Sequence, residues 1–110
     1  MLSACGGARS PNHSGYTIIY TVTGNSSIYW QAPTSYTDLT PISLSEIGGY
    51  YIYVGTDENN MQFMATISGS TVTEFSLANL DKGIHYIAIT CYNMVGIEST
   101  FSSLIVVDII

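Results

Sequence analysis

Gly49-Tyr50-Tyr51-Ile52-Tyr53-Val54-Gly55-Thr56-Asp57-Glu58-Asn59-Asn60-Met61-Gln62-Phe63-Met64-Ala65-Thr66-Ile67-Ser68 reads as strand, turn, strand. Residues 49–54 and 61–67 are dominated by aromatic, β-branched and other apolar side chains, which suit a pleated surface. Gly55-Thr56-Asp57 closes the first run, and Ser68-Gly69-Ser70 closes the second. Both closures use residues that favour turns. Within the first run Tyr51 and Tyr53 alternate with Tyr50 and Ile52, so one pair faces a core and the other faces solvent.

The same reading extends in both directions. Runs at 16–23 and 27–31 precede it, ending at Gly24-Asn25-Ser26 and at Pro33. Runs at 71–77, 84–92 and 99–109 follow it, the last with a bend expected near Ser102-Ser103. No window carries the i, i+3, i+4, i+7 stripe of an amphipathic helix. About seven short strands separated by turn signals predict an all-β, antiparallel β-sandwich. Alternation places Ile28 with Trp30, Phe75 with Leu77, Ile87 with Ile89 and Cys91, and Ile105 with Val107 and Ile109 on inward faces. Ala88, Thr90 and Asp108 are expected to look outward. Trp30, the only tryptophan, is expected at the centre of the core.

Composition narrows the function. The chain has 110 residues, 46% of them hydrophobic and only 9% charged. That is room for one domain with one core, and it is the opposite of a disordered composition. Two basic residues against eight acidic ones give a net charge of −6. Nucleic-acid binding is disfavoured, because too few cations are present to neutralise phosphates. Two cysteines, Cys5 and Cys91, make neither a metal cluster nor a disulfide-rich scaffold.

Four segments resemble the fibronectin type III family over residues 16–110. They are Ile28-Tyr29-Trp30-Gln31-Ala32-Pro33, Gly49-Tyr50-Tyr51-Ile52-Tyr53-Val54-Gly55-Thr56, Leu80-Asp81-Lys82-Gly83-Ile84-His85-Tyr86, and Gly96-Ile97-Glu98-Ser99. The resemblance implies a seven-stranded, immunoglobulin-like sandwich with Trp30, Tyr50, Leu80 and Tyr86 as structural core residues. The family's tyrosine corner falls near Tyr86, but alternation from Ile87 puts His85 on the core side. Either His85 replaces the corner residue, or a bulge restores Tyr86.

At the amino terminus, Leu2-Ser3-Ala4-Cys5 resembles the lipobox of bacterial lipoproteins. That resemblance implies residues 1–5 as the remnant of a signal peptide, lipidation at Cys5, and membrane attachment through acyl chains. Residues 6–15 are small, polar and aperiodic, and read as a flexible tether. Gly6 after the cysteine implies the outer membrane of a Gram-negative bacterium. An acylated Cys5 could not also form a disulfide with Cys91.

Few residues suggest chemistry. His13 and His85 lack any nucleophile motif around them, so no catalytic residue, metal site or cofactor is assigned. Cys91, on an inward face with no nearby cation, is expected to be a buried small hydrophobe. The loop Asp57-Glu58-Asn59-Asn60 supplies too few oxygens for Ca²⁺ and reads as a solvated turn. Nine tyrosines are the one excess. Tyr29, Tyr51, Tyr53 and Tyr92 are candidate binding residues, because exposed aromatic rings anchor protein partners and stack on sugars. Cross-strand pairing gives such tyrosines an ordinary structural use as well. The expectation is a lipid-anchored cell-envelope protein whose monomeric domain mediates protein binding or assembly. A carbohydrate-binding module and a spacer domain of a larger secreted enzyme are the alternatives.

Overall fold

The computed structural model describes residues 18–33, 41–99, 102 and 104–110. The expected signal remnant and tether, residues 1–15, lie outside the described residues. The described chain is mostly β. Its elements are β1 (Ile19–Val22), β2 (Ser27–Tyr29), a 3₁₀ turn (Leu44–Glu46), β3 (Ile47–Gly55), β4 (Met61–Ser68), β5 (Glu74–Ser76), β6 (Gly83–Asn93) and β7 (Ile105–Ile109).

The strands form a five-stranded sheet in the order β1-β7-β6-β3-β4 and a two-stranded sheet of β2 and β5. Neighbours in both sheets run antiparallel except one: β1 pairs with β7 in parallel, Ile19 opposite Val106 and Val22 opposite Ile109. The expectation of a wholly antiparallel fold is corrected here. No tight turn joins β1 to β7, so no hairpin imposes an antiparallel approach.

The two sheets share one core, which gives the fold a sandwich-like character. Ile28, Trp30 and Leu77 come from the two-stranded side. Tyr50, Ile52, Val54, Ile87, Ile89, Cys91, Val107 and Ile109 come from the inward positions of the larger sheet. Trp30 and Leu77 lie just past their strands but extend the pairing, Trp30 N–H to the Thr73 carbonyl and Leu77 N–H to the Ser26 carbonyl. Trp30 meets Tyr50 edge to face, with ring centroids 5.3 Å apart. The Tyr50 hydroxyl donates to the Ser70 carbonyl at 3.0 Å. The Trp30 indole N–H is buried with no acceptor in bonding geometry among the described residues.

The corner before β6 is closed by histidine. His85 Nε2 lies 2.7 Å from the Asp81 carbonyl oxygen. A carbonyl only accepts, so the ring donates from Nε2. This bond back to the upstream backbone has the form of a tyrosine corner. Leu80 packs against the core from the same turn. Tyr86 does not join that core: it falls on the outward positions of β6, opposite Gly55 and Val106, and is half-buried. The expectation that Tyr86 is a core residue is corrected by the two-residue period of the strand, which no bulge interrupts there.

The expected last strand, 99–109, is broken. Ser99 N–H and Ser102 N–H bond the Cys91 and Ile89 carbonyls, Tyr92 bridges Glu98, and regular pairing begins only at Ile105.

Candidate binding surface

The outward positions of β3, β4 and β6 carry Tyr51, Tyr53, Phe63, Thr90 and Tyr92. Register brings them together: Tyr51 lies opposite Thr90 and Thr66, Tyr53 opposite Phe63, and Gly49 opposite Tyr92. Tyr51 and Tyr92 are diagonal neighbours and stack, with centroids 4.4 Å apart and planes at 23°. Phe63 meets Tyr51 and Tyr53 edge to face at 5.8 and 6.0 Å. Each such pair contributes about 0.5–1.5 kcal/mol beyond area burial.

Glycine makes room for this layer. A Cβ on Gly48 would stand 2.7 Å from Tyr92 Cε2, and one on Gly49 would stand 2.5 Å from the Tyr92 hydroxyl oxygen. The Tyr92 ring therefore lies flat over bare backbone. Ala88 and Thr90 are on the outward side as expected, yet both are buried. Their small side chains sit opposite the much larger Tyr53 and Tyr51 in the register.

Glu98 crosses onto this face. One carboxylate oxygen, Oε2, accepts from the Tyr53 hydroxyl at 2.6 Å and from the Thr90 hydroxyl at 2.6 Å. Short hydroxyl–carboxylate bonds of this kind are strengthened by the charge. Burial, then the Glu98 hydrogen bond and negative charge, push the Tyr53 pKa up to about 12.

Beyond Tyr92 the face ends in a tight apolar turn. Met94 and Val95 are 70% and 79% exposed, and Ile97 is half exposed. The turn is held by buried Asn93, whose side-chain oxygen accepts from Val95 N–H at 3.2 Å and Ile97 N–H at 2.9 Å. Gly96 takes a left-handed φ of +89°, and Met94 N–H bonds the Glu46 carbonyl. The tip is thus fixed in place while its apolar side chains touch water.

Of the four candidate tyrosines, Tyr51, Tyr53 and Tyr92 share this surface. Tyr29 does not: it lies on β2 in the other sheet, opposite Glu74, and is 69% exposed. Phe63, Glu98 and the Met94–Val95–Ile97 tip are participants that the tyrosine pattern did not mark. A visible signal existed for the tip, since apolar residues flank the turn glycine Gly96 where polar ones are usual. Asp57 closes its own turn, its side chain accepting from Asn59 N–H at 2.8 Å.

Cys91 is fully buried, as its strand position requires, but it is disulfide-bonded. The expected small, buried residue is buried, but its sulfur is held in a disulfide rather than as a thiol. The sequence has one other cysteine, Cys5, outside the described residues. A Cys5 sulfur held in a disulfide has no valence left for a thioether to lipid, so the two fates of Cys5 exclude each other in one molecule. No helix among the described residues is long and apolar enough to cross a membrane. No protein-family model matches the chain, and no characterised protein is detectably similar to it.

Proposed function

We propose that this chain is a non-catalytic binding module of the fibronectin type III-like kind, working at the bacterial cell envelope and joining a protein partner through the outer face of its larger sheet. The observation that carries the reading is the aromatic layer itself: four rings from three strands, running up to a rigid apolar turn. Rigid aromatic anchors beside apolar side chains are what protein interfaces use, because little entropy is lost on binding. The two-sheet arrangement, the Trp30–Tyr50 pair and the His85 corner support the family part of the reading.

Both fates of Cys5 favour export. A disulfide persists in oxidising compartments, and diacylglyceryl transfer to a lipobox cysteine is an envelope reaction. Intact mass of protein recovered from its own host separates them: loss of two hydrogens marks the disulfide, and a large gain marks lipid. A reduced, unmodified protein would remove this support.

A second reading, glycan binding, is favoured by the charged carboxylate of Glu98 placed among the rings. Immobilised protein tested against solubilised envelope proteins and against a glycan array distinguishes the two. The protein reading expects a discrete partner that Phe63→Ser and Val95→Asp no longer retain, with a silent array. Array signal that depends on Tyr51 and Glu98 moves the assignment to carbohydrate. Unchanged retention by both variants sets aside the proposed surface.

A further inference from the structure

We infer that the partner places one arginine on the aromatic face, its guanidinium against the Tyr51, Tyr92 and Phe63 rings and donating to the Glu98 carboxylate. This rests on the protein-binding reading of the same surface and names the chemistry of the partner.

Glu98 is exposed, and its backbone bridges Tyr92. Its Oε2 accepts from both hydroxyls, Tyr53 and Thr90. Its other oxygen, Oε1, accepts no hydrogen bond among the described residues. A carboxylate only accepts, so the group that meets Oε1 must donate. Thr90 stands directly opposite Tyr51 in the register, and neighbouring strands are about 5 Å apart. The carboxylate bonded to Thr90 therefore lies beside the Tyr51–Tyr92 stack, and a donor at Oε1 meets aromatic rings at the same time.

Charge selects the kind of donor. β3 and β4 contain no carboxylate or amine. The outward positions of β6, Ile84, Tyr86, Ala88, Thr90 and Tyr92, contain none either. Asp57 and Glu58 lie past the end of β3 and add charge of the same sign. Of the chain's two basic residues, Arg9 lies outside the described residues. Lys82 stands just before β6, roughly 27 Å from Thr90 at ~3.4 Å per residue. That is several times the Debye length of ~8 Å at physiological salt. Glu98 is thus a single negative charge among uncharged rings, in a chain of net −6. Such a field draws a basic partner and repels an acidic one, a second copy of this chain included.

The rings then favour guanidinium over ammonium. A guanidinium is flat and weakly hydrated, so it can lie on a ring while an in-plane N–H reaches the carboxylate. Its charge is attracted by the π-face it covers. An ammonium must shed a tight water shell to make the same contact. One carboxylate calls for one arginine, and the exposed Met94 and Val95 beside it suit apolar neighbours of that arginine.

The test is an NMR titration of the full chain, following the ring signals of Tyr51, Phe63 and Tyr92. The probes are acetylated, amidated peptides with one central residue between valines: arginine, lysine or citrulline, the last an uncharged mimic of arginine. The arginine peptide is expected to bind weakly but roughly fivefold or more tighter than the citrulline peptide, the scale of an exposed cation–π contact with an ion pair. The lysine peptide should fall between them. Added salt should weaken the arginine peptide and leave the citrulline peptide unchanged. Glu98→Gln should bring the arginine peptide down to the citrulline level. Equal binding of arginine and citrulline, or of arginine and lysine, overturns the inference. So does indifference to Glu98→Gln, or ring signals unmoved at millimolar peptide. Ring shifts produced by neutral oligosaccharides, or by protein concentration alone, with none from the arginine peptide, overturn it in favour of a glycan or a second copy. A protein partner that needs Phe63 but is retained equally by Glu98→Gln and at high salt overturns the arginine alone and leaves the protein-binding reading standing.

Discussion

Tyr50 and Tyr51 are neighbours of one residue type on one strand, and they end in opposite surroundings. Tyr50 points inward, fully buried, its ring against Trp30 and its hydroxyl on the Ser70 carbonyl. Tyr51 points outward, half-buried, stacked on Tyr92 and touched by Phe63. The two-residue period of a strand separates them, and everything else follows from the side each faces. The inner ring is surrounded by atoms that cannot move away. The outer ring lies at the surface, between the Tyr92 and Phe63 rings and opposite Thr66 and Thr90. The inner layer therefore holds the fold, and the outer layer presents a surface.

The largest effect should come from the inner layer. Trp30→Ala removes the ring that Tyr50 packs against and opens a core cavity. Its expected cost is about 3–5 kcal/mol, measured by denaturant unfolding with a constant m-value. A loss below about 1 kcal/mol would mean that the inner ring pair does not hold the fold.

A second effect tests whether the outer layer depends on bare backbone. Gly49→Ala puts a methyl 2.2 Å from the Ile67 carbonyl oxygen and 2.5 Å from the Tyr92 hydroxyl. Neither distance is tolerable, so β4 or the Tyr92 ring must shift. The expected cost is about 1–3 kcal/mol, the usual range for overpacking. Loss of the Tyr51–Tyr92 stack should appear as a near-ultraviolet dichroism change. A fully stable variant with an unaltered aromatic spectrum would show that Tyr92 does not lie on this backbone.

A smaller effect isolates the outer pair. In a double-mutant cycle with Tyr51→Ala and Tyr92→Ala, the coupling energy should be about 0.5–1.5 kcal/mol. A coupling near zero would reduce the stack to coincident packing.

These contrasts also show what could be read in the chain and what could not. The positions of most strands were legible, because each is a short apolar run closed by turn residues, but the last run, 99–109, pairs regularly only from Ile105. So was the side taken by Tyr50, Ile52, Ile87 and Ile89, because alternation is local. The parallel pairing of β1 with β7 was not, since no residue in either strand specifies which strand it will meet. The surface was legible by halves. Alternation puts Tyr51 and Tyr53 on one side, but only register brings Tyr92 beside Tyr51 and leaves Tyr29 in the other sheet. The disulfide state of Cys91 was hidden for the same reason, because inward alternation describes burial and says nothing of a distant sulfur. Glu98 was the least visible. Its role depends on β3, β6 and the segment after β6 converging, with Tyr53 forty-five positions away in sequence.

The smallest expected effect on stability concerns that carboxylate, and it carries a sharp spectroscopic signature. The Tyr53 pKa, raised to about 12, is held up first by burial and then by Glu98. A folded-state pKa above the unfolded value of about 10 means that the folded protein favours the neutral phenol. Tyr53 thus contributes stability that is fully present below about pH 10 and is lost as pH rises toward its folded pKa. Glu98→Gln removes the negative charge while keeping an oxygen that can accept from Tyr53 and Thr90. Stability at neutral pH should then change by no more than about 0.5 kcal/mol, as for an exposed substitution. The Tyr53 pKa should nevertheless fall, because the Glu98 charge is gone and only burial and neighbouring Tyr51 remain to raise it. Ultraviolet titration of tyrosinate, compared between the unaltered protein and Glu98→Gln, reads this directly. One tyrosine should ionise earlier in the variant, and the alkaline unfolding midpoint should move to higher pH, because a smaller gap between the folded and unfolded Tyr53 pKa leaves less stability to lose. Superimposable titrations would mean that Glu98 does not act on Tyr53, and the outer face would then be an aromatic layer without an electrostatic partner.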